Sequence, residues 1–164
     1  MKVRMILASL AAFSLAVAAG ALTKNAGTAQ CAKPNPAHMV EVGDEPNHSM
    51  GVSKSMCTWT KPLEIAGLKS KDGWSVASDD TKGSKSSSHG VHVSNMDNGD
   101  KIYVRFQGTG MMKDGAMQSD SGTWSYTSGT GKLKGIKGKG TYNGKPSADG
   151  GMTYEVKGDY TLPK

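Results

Sequence analysis

Hydrophobic and polar positions alternate along the C-terminal end of the chain with a period of two, which is the period of a β-strand. Across residues 152–162, one parity carries Met152, Tyr154, Val156 and Tyr160. The other parity carries mainly charged and hydroxyl side chains. The pattern predicts a long antiparallel strand with one face towards a core and the other towards water.

A second alternating pattern surrounds the dipeptide Asn98-Gly99. Residues 90–96 precede this dipeptide and residues 101–107 follow it, and both runs favour extended backbone. Asparagine and glycine tolerate the positive φ angles that a tight hairpin turn needs. The two runs are therefore predicted to form an antiparallel hairpin.

The glycine-rich stretch at residues 122–142 predicts the central hairpin of the domain. It reads GTWSYTSGTGKLKGIKGKGTY, which is a short aromatic strand, a turn, and a strand bent by its glycines. The glycines lack the spacing of a phosphate-binding loop. The lysines of this region predict a basic edge strand that resists aggregation: Lys132, Lys134, Lys137, Lys139 and Lys145.

The remaining segments are short and separated by turn residues. Residues 52–60 and 74–76 favour strands, and residues 63–68 favour a short strand or one helical turn. Residues 79–88 and 108–115 are predicted to be loops because of their polar or glycine-rich composition. Together the segments predict an all-β fold, a single antiparallel meander closed into an eight-stranded barrel, with an extended N-terminal arm.

The first residues of the chain have the composition of a secretory signal peptide. Lys2 and Arg4 precede an uncharged apolar run at residues 5–19, which is shorter than the roughly 20 residues of a membrane-spanning helix. Small residues at positions 19–21 offer a cleavage site. We therefore expect a periplasmic or secreted protein with no stable membrane anchor after cleavage.

The predicted domain organisation has three parts. Residues 1–21 form the signal peptide, residues 22–51 an N-terminal arm and loop, and residues 52–164 the barrel domain. Pro34 and Pro36 block regular structure in the arm. The formal net charge of the whole chain is +6, and removal of Lys2 and Arg4 with the signal peptide would leave +4, a modest value that argues against nucleic acid as a partner.

Two cysteines, Cys31 and Cys57, lie in the part of the chain that would be exported. In an oxidising compartment the expected state is one disulfide. The bond would tie the arm to the first barrel strand and stabilise the fold by about 3–4 kcal/mol. Free thiols or a metal site are the alternatives.

Histidines and methionines raise the possibility of a metal site. His38, His48 and Met50 are soft ligands near one another in the sequence, and an exported cluster of this kind could hold copper. The spacing repeats nowhere, however, and methionine also fills irregular gaps in cores. We therefore predict no metal and no other cofactor.

The sequence contains no clear catalytic constellation, and the catalytic residues, if any, are unknown. Asp44, Glu45 and His48 could form an acid–base group, but turn chemistry explains this segment equally well. No serine lies in a nucleophile elbow. Catalysis would need a buried ionisable group facing a barrel cavity, such as Arg105 or Glu155. The sequence therefore favours a binding protein over an enzyme.

Aromatic and charged residues on the predicted strands could line a cavity, because small barrels hold one ligand inside or at the mouth. The predicted ligand-binding residues are Tyr103, Arg105, Trp124, Tyr126 and Tyr154. Tyr142 and Tyr160 belong to the same group of candidates. The alternative is that these side chains fill a solid core.

The Gly-Thr-Trp motif at residues 122–124, followed by Ser-Gly-Thr-Gly-Lys-Leu-Lys-Gly-Ile-Lys-Gly, resembles the glycine-rich hairpin of allene oxide cyclase and dirigent-like barrels. Leu133 stands where those proteins usually have phenylalanine. The resemblance implies a calycin-type antiparallel barrel of eight strands, often with an apolar pocket. The whole chain also resembles small exported bacterial proteins of unknown function. No catalytic residue of the cyclase has a matching position here.

These observations favour non-catalytic binding of a small, partly apolar ligand in the barrel. Three alternatives remain open: catalysis of the dirigent or cyclase kind in the cavity, a structural role in envelope interactions, and periplasmic copper handling. A hollow barrel would favour the first interpretation, and a barrel packed solid by its aromatic side chains would exclude it.

Overall fold

The computed structural model describes residues 21–163. The predicted signal peptide at residues 1–21 lies outside this range except for its last position. Within the described range, no helix is long and apolar enough to cross a membrane.

The described chain forms ten β-strands joined mainly by tight turns. The strands are β1 (Thr23–Cys31), β2 (Ala37–Glu41), β3 (His48–Lys61), β4 (Glu64–Ile65), β5 (Leu68–Lys82), β6 (Lys85–Met96), β7 (Lys101–Lys113), β8 (Ala116–Gly129), β9 (Lys137–Pro146) and β10 (Met152–Thr161). A single turn of 3₁₀ helix, Gly131–Leu133, lies between β8 and β9.

Eight of these strands form a closed antiparallel barrel, which confirms the predicted fold class. From β5 to β10 each strand pairs with the next along the chain, and β3 pairs with β5. β1 closes the barrel because it pairs with β10 on one side and with β3 on the other. The two shortest strands, β2 and β4, are additions that pair with β3 and β5 respectively.

The first strand corrects the predicted division of the chain. The sequence predicts an arm over residues 22–51, but β1 is a full strand of the barrel wall. The inward positions of β1 hold small or polar residues, which give no apolar alternation: Asn25, Gly27, Ala29 and Cys31. The barrel domain therefore begins with β1 rather than at residue 52.

Two segments predicted as loops are extensions of the hairpins. Residues 79–88 carry β5 and β6 up to a turn at Gly83, where φ is 56°. Residues 108–115 carry β7 up to a turn at Asp114, where φ is 52°. The loop predictions are wrong because serine and glycine occupy strand positions there and leave little apolar alternation to detect. These extensions lengthen the barrel wall that is formed by the β5–β6 and β7–β8 hairpins.

The glycine-rich stretch at residues 122–142 forms the hairpin of β8 and β9, as predicted. Its lysines do not lie on an edge strand, because β9 pairs with both β8 and β10. Lys137, Lys139 and Lys145 are exposed on the middle of the sheet instead. The edge-strand interpretation is therefore wrong, and these lysines cover the outer face of the barrel.

One end of the barrel is filled by a dense hydrophobic core. Ile65, Ile102, Leu133 and Ile136 are at most 1% exposed and belong to one cluster. The 3₁₀ turn brings Leu133 into this cluster. The backbone amide of Ala66, between β4 and β5, donates a hydrogen bond to the hydroxyl of Tyr160 over 3.1 Å. We call this end the plug.

Cys31 and Cys57 form the predicted disulfide, which joins β1 to β3 across a sequence separation of 26 residues. We expect replacement of both cysteines by alanine to lower the free energy of unfolding by about 3 kcal/mol, because the unfolded chain gains entropy. Urea unfolding of the variant and of the wild type measures the difference.

A reducing agent provides the control. It should destabilise the wild type by a similar amount and leave the double variant unchanged. A loss under about 1 kcal/mol in the double variant would show that the disulfide contributes little to the fold.

Candidate ligand-binding site

Inward-facing side chains enclose a cavity of about 710 Å³ that reaches from the plug towards the opposite end of the barrel. Small-molecule pockets in proteins span roughly 300–1,000 Å³, so this volume suits one small ligand. The wall formed by β7 to β10 is mainly aromatic, and the wall formed by β3 to β6 is rich in hydroxyl groups. The barrel is therefore hollow beyond the plug.

The aromatic wall consists of Phe106, Trp124, Tyr126, Tyr142 and Tyr154. Their rings meet edge to face, which is a favourable arrangement for aromatic pairs. The ring centroids lie 6.3 Å apart in the Phe106–Tyr142 pair and 5.8 Å apart in the Tyr142–Tyr154 pair. Trp124 and Tyr126 are 4.9 Å apart. These contacts hold the rings in place, so the apolar surface is preformed.

Tyr142 extends along the inside of the wall because two neighbouring positions have no side chain. A Cβ atom at Gly108 on β7 or at Gly122 on β8 would meet the Tyr142 hydroxyl. Glycine within a strand often marks such a close approach. Any larger residue at either position would displace the ring of Tyr142, so these glycines shape the cavity.

A carboxylate on β8, Asp120, lies within the aromatic wall. The hydroxyls of Tyr142 and Tyr154 donate hydrogen bonds to it over 3.4 and 3.3 Å. Burial raises the pKa of the Asp120 carboxyl to about 6, and the negative charge of Asp79 adds to this shift. Asp120 can therefore bind and release a proton near neutral pH.

A second carboxylate, Asp79, lines the hydroxyl-rich wall on β5. The hydroxyl of Ser53 donates a hydrogen bond to it over 2.9 Å. Burial raises the pKa of the Asp79 carboxyl, while the Ser53 hydrogen bond and the charge of His89 lower it. In the described range, neither Asp79 nor Asp120 takes part in an ion pair.

His92 on β6 also lines the cavity. The Ser75 hydroxyl lies 2.9 Å from its Nδ1 atom. Burial lowers the pKa of His92 to about 4, so the ring is neutral at physiological pH. Its Nε2 atom is buried and has no hydrogen-bond partner among the described residues. The Nε2 atom of His92 is therefore available for a hydrogen bond to a molecule in the cavity.

Methionine side chains line the part of the cavity that lies away from the plug: Met39, Met112, Met117 and Met152. The exposed residues Lys33 and Pro34 line the same region. Because methionine is flexible and polarisable, such a rim can adapt to ligands of different shape.

The structure places the five predicted ligand-binding residues on two faces of the barrel. Trp124, Tyr126 and Tyr154 line the cavity together. Tyr103 and Arg105 belong to the outward parity of β7, whose inward neighbours Ile102 and Val104 are buried. Arg105 lies in an outer groove beside Lys139 and Lys157. Tyr103 and Arg105 therefore do not share the cavity with the other three.

The sequence prediction missed Asp79 and Asp120. Asp120 has the same strand parity as Trp124 and Tyr126, so this signal was present. The parity of Asp120 is not visible in the prediction, because the predicted strand begins at residue 122 and β8 begins at Ala116. Asp79 fell within a segment predicted as a loop. Extending the alternation by a few residues would have placed both carboxylates inside the barrel.

The candidate copper ligands lie away from the cavity. His38 and Met50 are exposed on β2 and β3. The Nδ1 atom of the buried His48 contacts Asp44, and its Nε2 atom lies 3.1 Å from Asp80. The hydrogen bond to Asp44 raises the pKa of His48.

The contacts of His48 define a structural role. Because both of its ring nitrogens are occupied, His48 joins the turn before β3 to the end of β5. Oxygen and nitrogen donors of Asp44, Glu45 and His48 lie within 4.8 Å of one another. That set contains carboxylates rather than thioethers, and carboxylates suit hard cations rather than copper(I).

The fold and the cavity define this protein as a small closed antiparallel barrel with a lined interior. No protein-family model and no curated protein matches the sequence. Solved structures of similar fold include a pyocyanin demethylase, with 17% identity and a TM-score of 0.44. That likeness covers 81% of this chain and 98% of the demethylase chain.

Two further structures are similar in fold. A DUF3224-family protein of unknown function from Shewanella oneidensis has 19% identity and a TM-score of 0.49, over 88% of this chain and 100% of that chain. A pterocarpan synthase dirigent protein has 13% identity and a TM-score of 0.48, over 98% of this chain and 100% of that chain. These likenesses concern the fold alone and do not identify a family.

The raised pKa of Asp120 predicts a pH-dependent effect of Asp120→Asn on stability. Between about pH 4 and pH 6 the folded protein keeps a proton that the unfolded chain releases, so ionisation of Asp120 reduces stability as the pH rises through this window. Asparagine avoids the buried charge. We expect it to raise the free energy of unfolding by about 1–2 kcal/mol at pH 7.5 and much less at pH 4.

Urea unfolding at the two pH values measures this difference. Asp97→Asn is the control, because it removes the same charge from the exposed turn before β7 and leaves the cavity unchanged. Its effect on the free energy of unfolding should not show this pH dependence. If Asp120→Asn changes stability equally at both pH values, the carboxyl of Asp120 is not destabilised by burial.

Proposed function

We propose that this protein is exported and binds a small, partly apolar molecule inside its barrel without transforming it. The cavity of about 710 Å³ supports this proposal most directly, because the aromatic side chains line an open space rather than fill it. A barrel with a purely structural role would be expected to pack these rings into a solid core.

Other features agree with this proposal. The edge-to-face contacts hold the aromatic wall in place, which lowers the entropic cost of binding. The hydroxyl groups of the opposite wall can orient a polar part of the ligand. The disulfide between Cys31 and Cys57 supports export, because such bonds persist in oxidising compartments.

A fluorescent apolar probe tests this proposal. We expect N-phenylnaphthylamine to bind with a stoichiometry of one and with enhanced emission. Ser55→Phe places a ring in the cavity from β3 and should weaken binding by about tenfold, since the ring removes apolar contact area from the probe. Fluorescence titration measures both dissociation constants.

Thr58→Phe is the matched control, because it adds a ring to the exposed face of the same strand. It should leave probe affinity unchanged. Equal affinity of the wild type and Ser55→Phe, with both proteins folded, would place the probe outside the barrel. Native mass spectrometry of protein purified from a periplasmic extract would show a retained natural ligand directly.

Acid–base catalysis in the same cavity is a second candidate function, and Asp120 is the observation that favours it. A carboxyl with a pKa of about 6 suits proton transfer near neutral pH. Arg105 and Glu155, the candidates from the sequence, are exposed on the outer face. Mass spectrometry of a ligand recovered after incubation separates the two functions, because a changed mass supports catalysis and an unchanged mass supports binding.

A further inference from the structure

We propose that the cavity selects an organic cation, namely an ammonium group carried on an apolar, largely aromatic body. This inference rests on the proposed function, that a small molecule occupies the barrel, and it adds the charge of that molecule. Four features of the cavity lead to it.

The first feature is a pair of carboxylates that take part in no ion pair among the described residues. Asp79 and Asp120 both line the cavity, from β5 and β8. Their side-chain hydrogen-bond donors are the neutral hydroxyls of Ser53, Tyr142 and Tyr154. A partly buried carboxylate with neutral partners has lost hydration that these partners do not fully replace. A cationic ligand would supply the missing charge.

The second feature is the charge of the remaining lining residues. Among the described residues that line the cavity, basic character is confined to Lys33 and His92. Lys33 is exposed at the rim. His92 is neutral because of its burial. The interior therefore carries negative charge alone, and an anionic ligand would meet two like charges.

The third feature is the set of aromatic rings around Asp120. Tyr142 and Tyr154 contact its carboxylate through their hydroxyls, and their rings pack against each other. Phe106 packs against Tyr142. Aromatic faces attract cations within about 6 Å of the ring centroid, most strongly where water is excluded. Rings beside a carboxylate suit an ammonium group that has apolar substituents.

The fourth feature is independent of charge. His92 lines the same cavity, and its buried Nε2 atom has no hydrogen-bond partner among residues 21–163. Unpaired buried polar atoms are rare in folded proteins, and a bound molecule is one way to satisfy them. His92 lies about 13 Å along β6 from Ser88, the strand partner of Asp79. A ligand with an elongated body would reach from the carboxylates towards this ring.

Three naphthalene probes of nearly equal size and different charge test the inference: naphthylmethylamine, naphthylmethanol and naphthoic acid. Isothermal titration calorimetry at pH 7.5 measures their dissociation constants with the full-length folded protein. We expect the amine to bind about tenfold tighter than the alcohol, as charge-assisted hydrogen bonds predict. The acid should bind more weakly than the alcohol.

Variants locate the source of the preference. Asp120→Asn and Asp79→Asn should each lower the ratio of the affinity for the amine to the affinity for the alcohol. Asp97→Asn, at an exposed turn, removes the same formal charge and should leave both affinities unchanged. Thermal melting confirms that each variant is folded. If only one of the two cavity variants folds, a reduced preference for the amine in that variant supports the inference, and an unchanged preference contradicts it.

The pH dependence provides a second signature. Asp79, Tyr142 and Tyr154 face Asp120, and burial raises the pKa of both tyrosines, which stay neutral from pH 5 to pH 7.5. Protonation of Asp120 should therefore weaken binding of the amine in the wild type as the pH falls through this range. In Asp120→Asn the change should be smaller. The charge of His89 lowers the pKa of Asp79, the second carboxylate of the cavity.

The outcomes separate this inference from the proposed function. If the alcohol binds at least as tightly as the amine, the cavity is a ligand site without a preference for cations, and the inference is overturned. If no probe binds and N-phenylnaphthylamine also fails, the proposed function is overturned as well. A preference for the amine that persists in both cavity variants would place the cation at a different site and would also overturn the inference.

Discussion

The pairing of β1 with both β10 and β3 is the interaction on which the rest of the structure depends. Without β1, both neighbouring strands would expose unpaired backbone edges, and the cavity would lack part of its wall. The ladder is made by backbone groups, so it tolerates the small and polar inward residues of β1. The disulfide lies in this same seam, because Cys31 and Cys57 are register partners. The strand pairing that closes the barrel and the disulfide that stabilises it therefore lie at the same place.

The closed barrel has a densely packed end and a hollow region along its axis. At the plug, Leu133 and Ile136 are fully buried and the core is dense. Towards the other end, hydroxyl groups and glycines replace branched apolar side chains, so the wall leaves space. Gly108 and Gly122 give Tyr142 room to lie along the wall. The stability of the plug can thus support a hollow region that contributes less to the fold.

Strand parity predicted much of the fold, and its failures have a common cause. The last strand and the Asn98-Gly99 hairpin were predicted correctly because large apolar residues alternate there. The strand β1 and the hairpin extensions were missed, since their inward positions hold serine, glycine and other small residues. A hollow barrel needs such residues where it is hollow. The segments that build the cavity therefore carry the weakest hydrophobic signal, which also explains why Asp79 and Asp120 were overlooked.

Two acidic clusters of the protein differ in how their charges are compensated. Around His48, carboxylates contact both ring nitrogens and Lys82 pairs with Glu45, so these carboxylates have basic partners within the protein. Around Asp120, the side-chain partners are neutral hydroxyls, and burial raises the pKa of the carboxyl. An asparagine there could keep a hydrogen bond to a tyrosine at a smaller desolvation cost. A buried carboxylate that destabilises the fold, as Asp120 does, is a local violation of the rules of stability. Such violations tend to occur at functional sites. The uncompensated charge inside the barrel is the reason for which we propose a cationic ligand there.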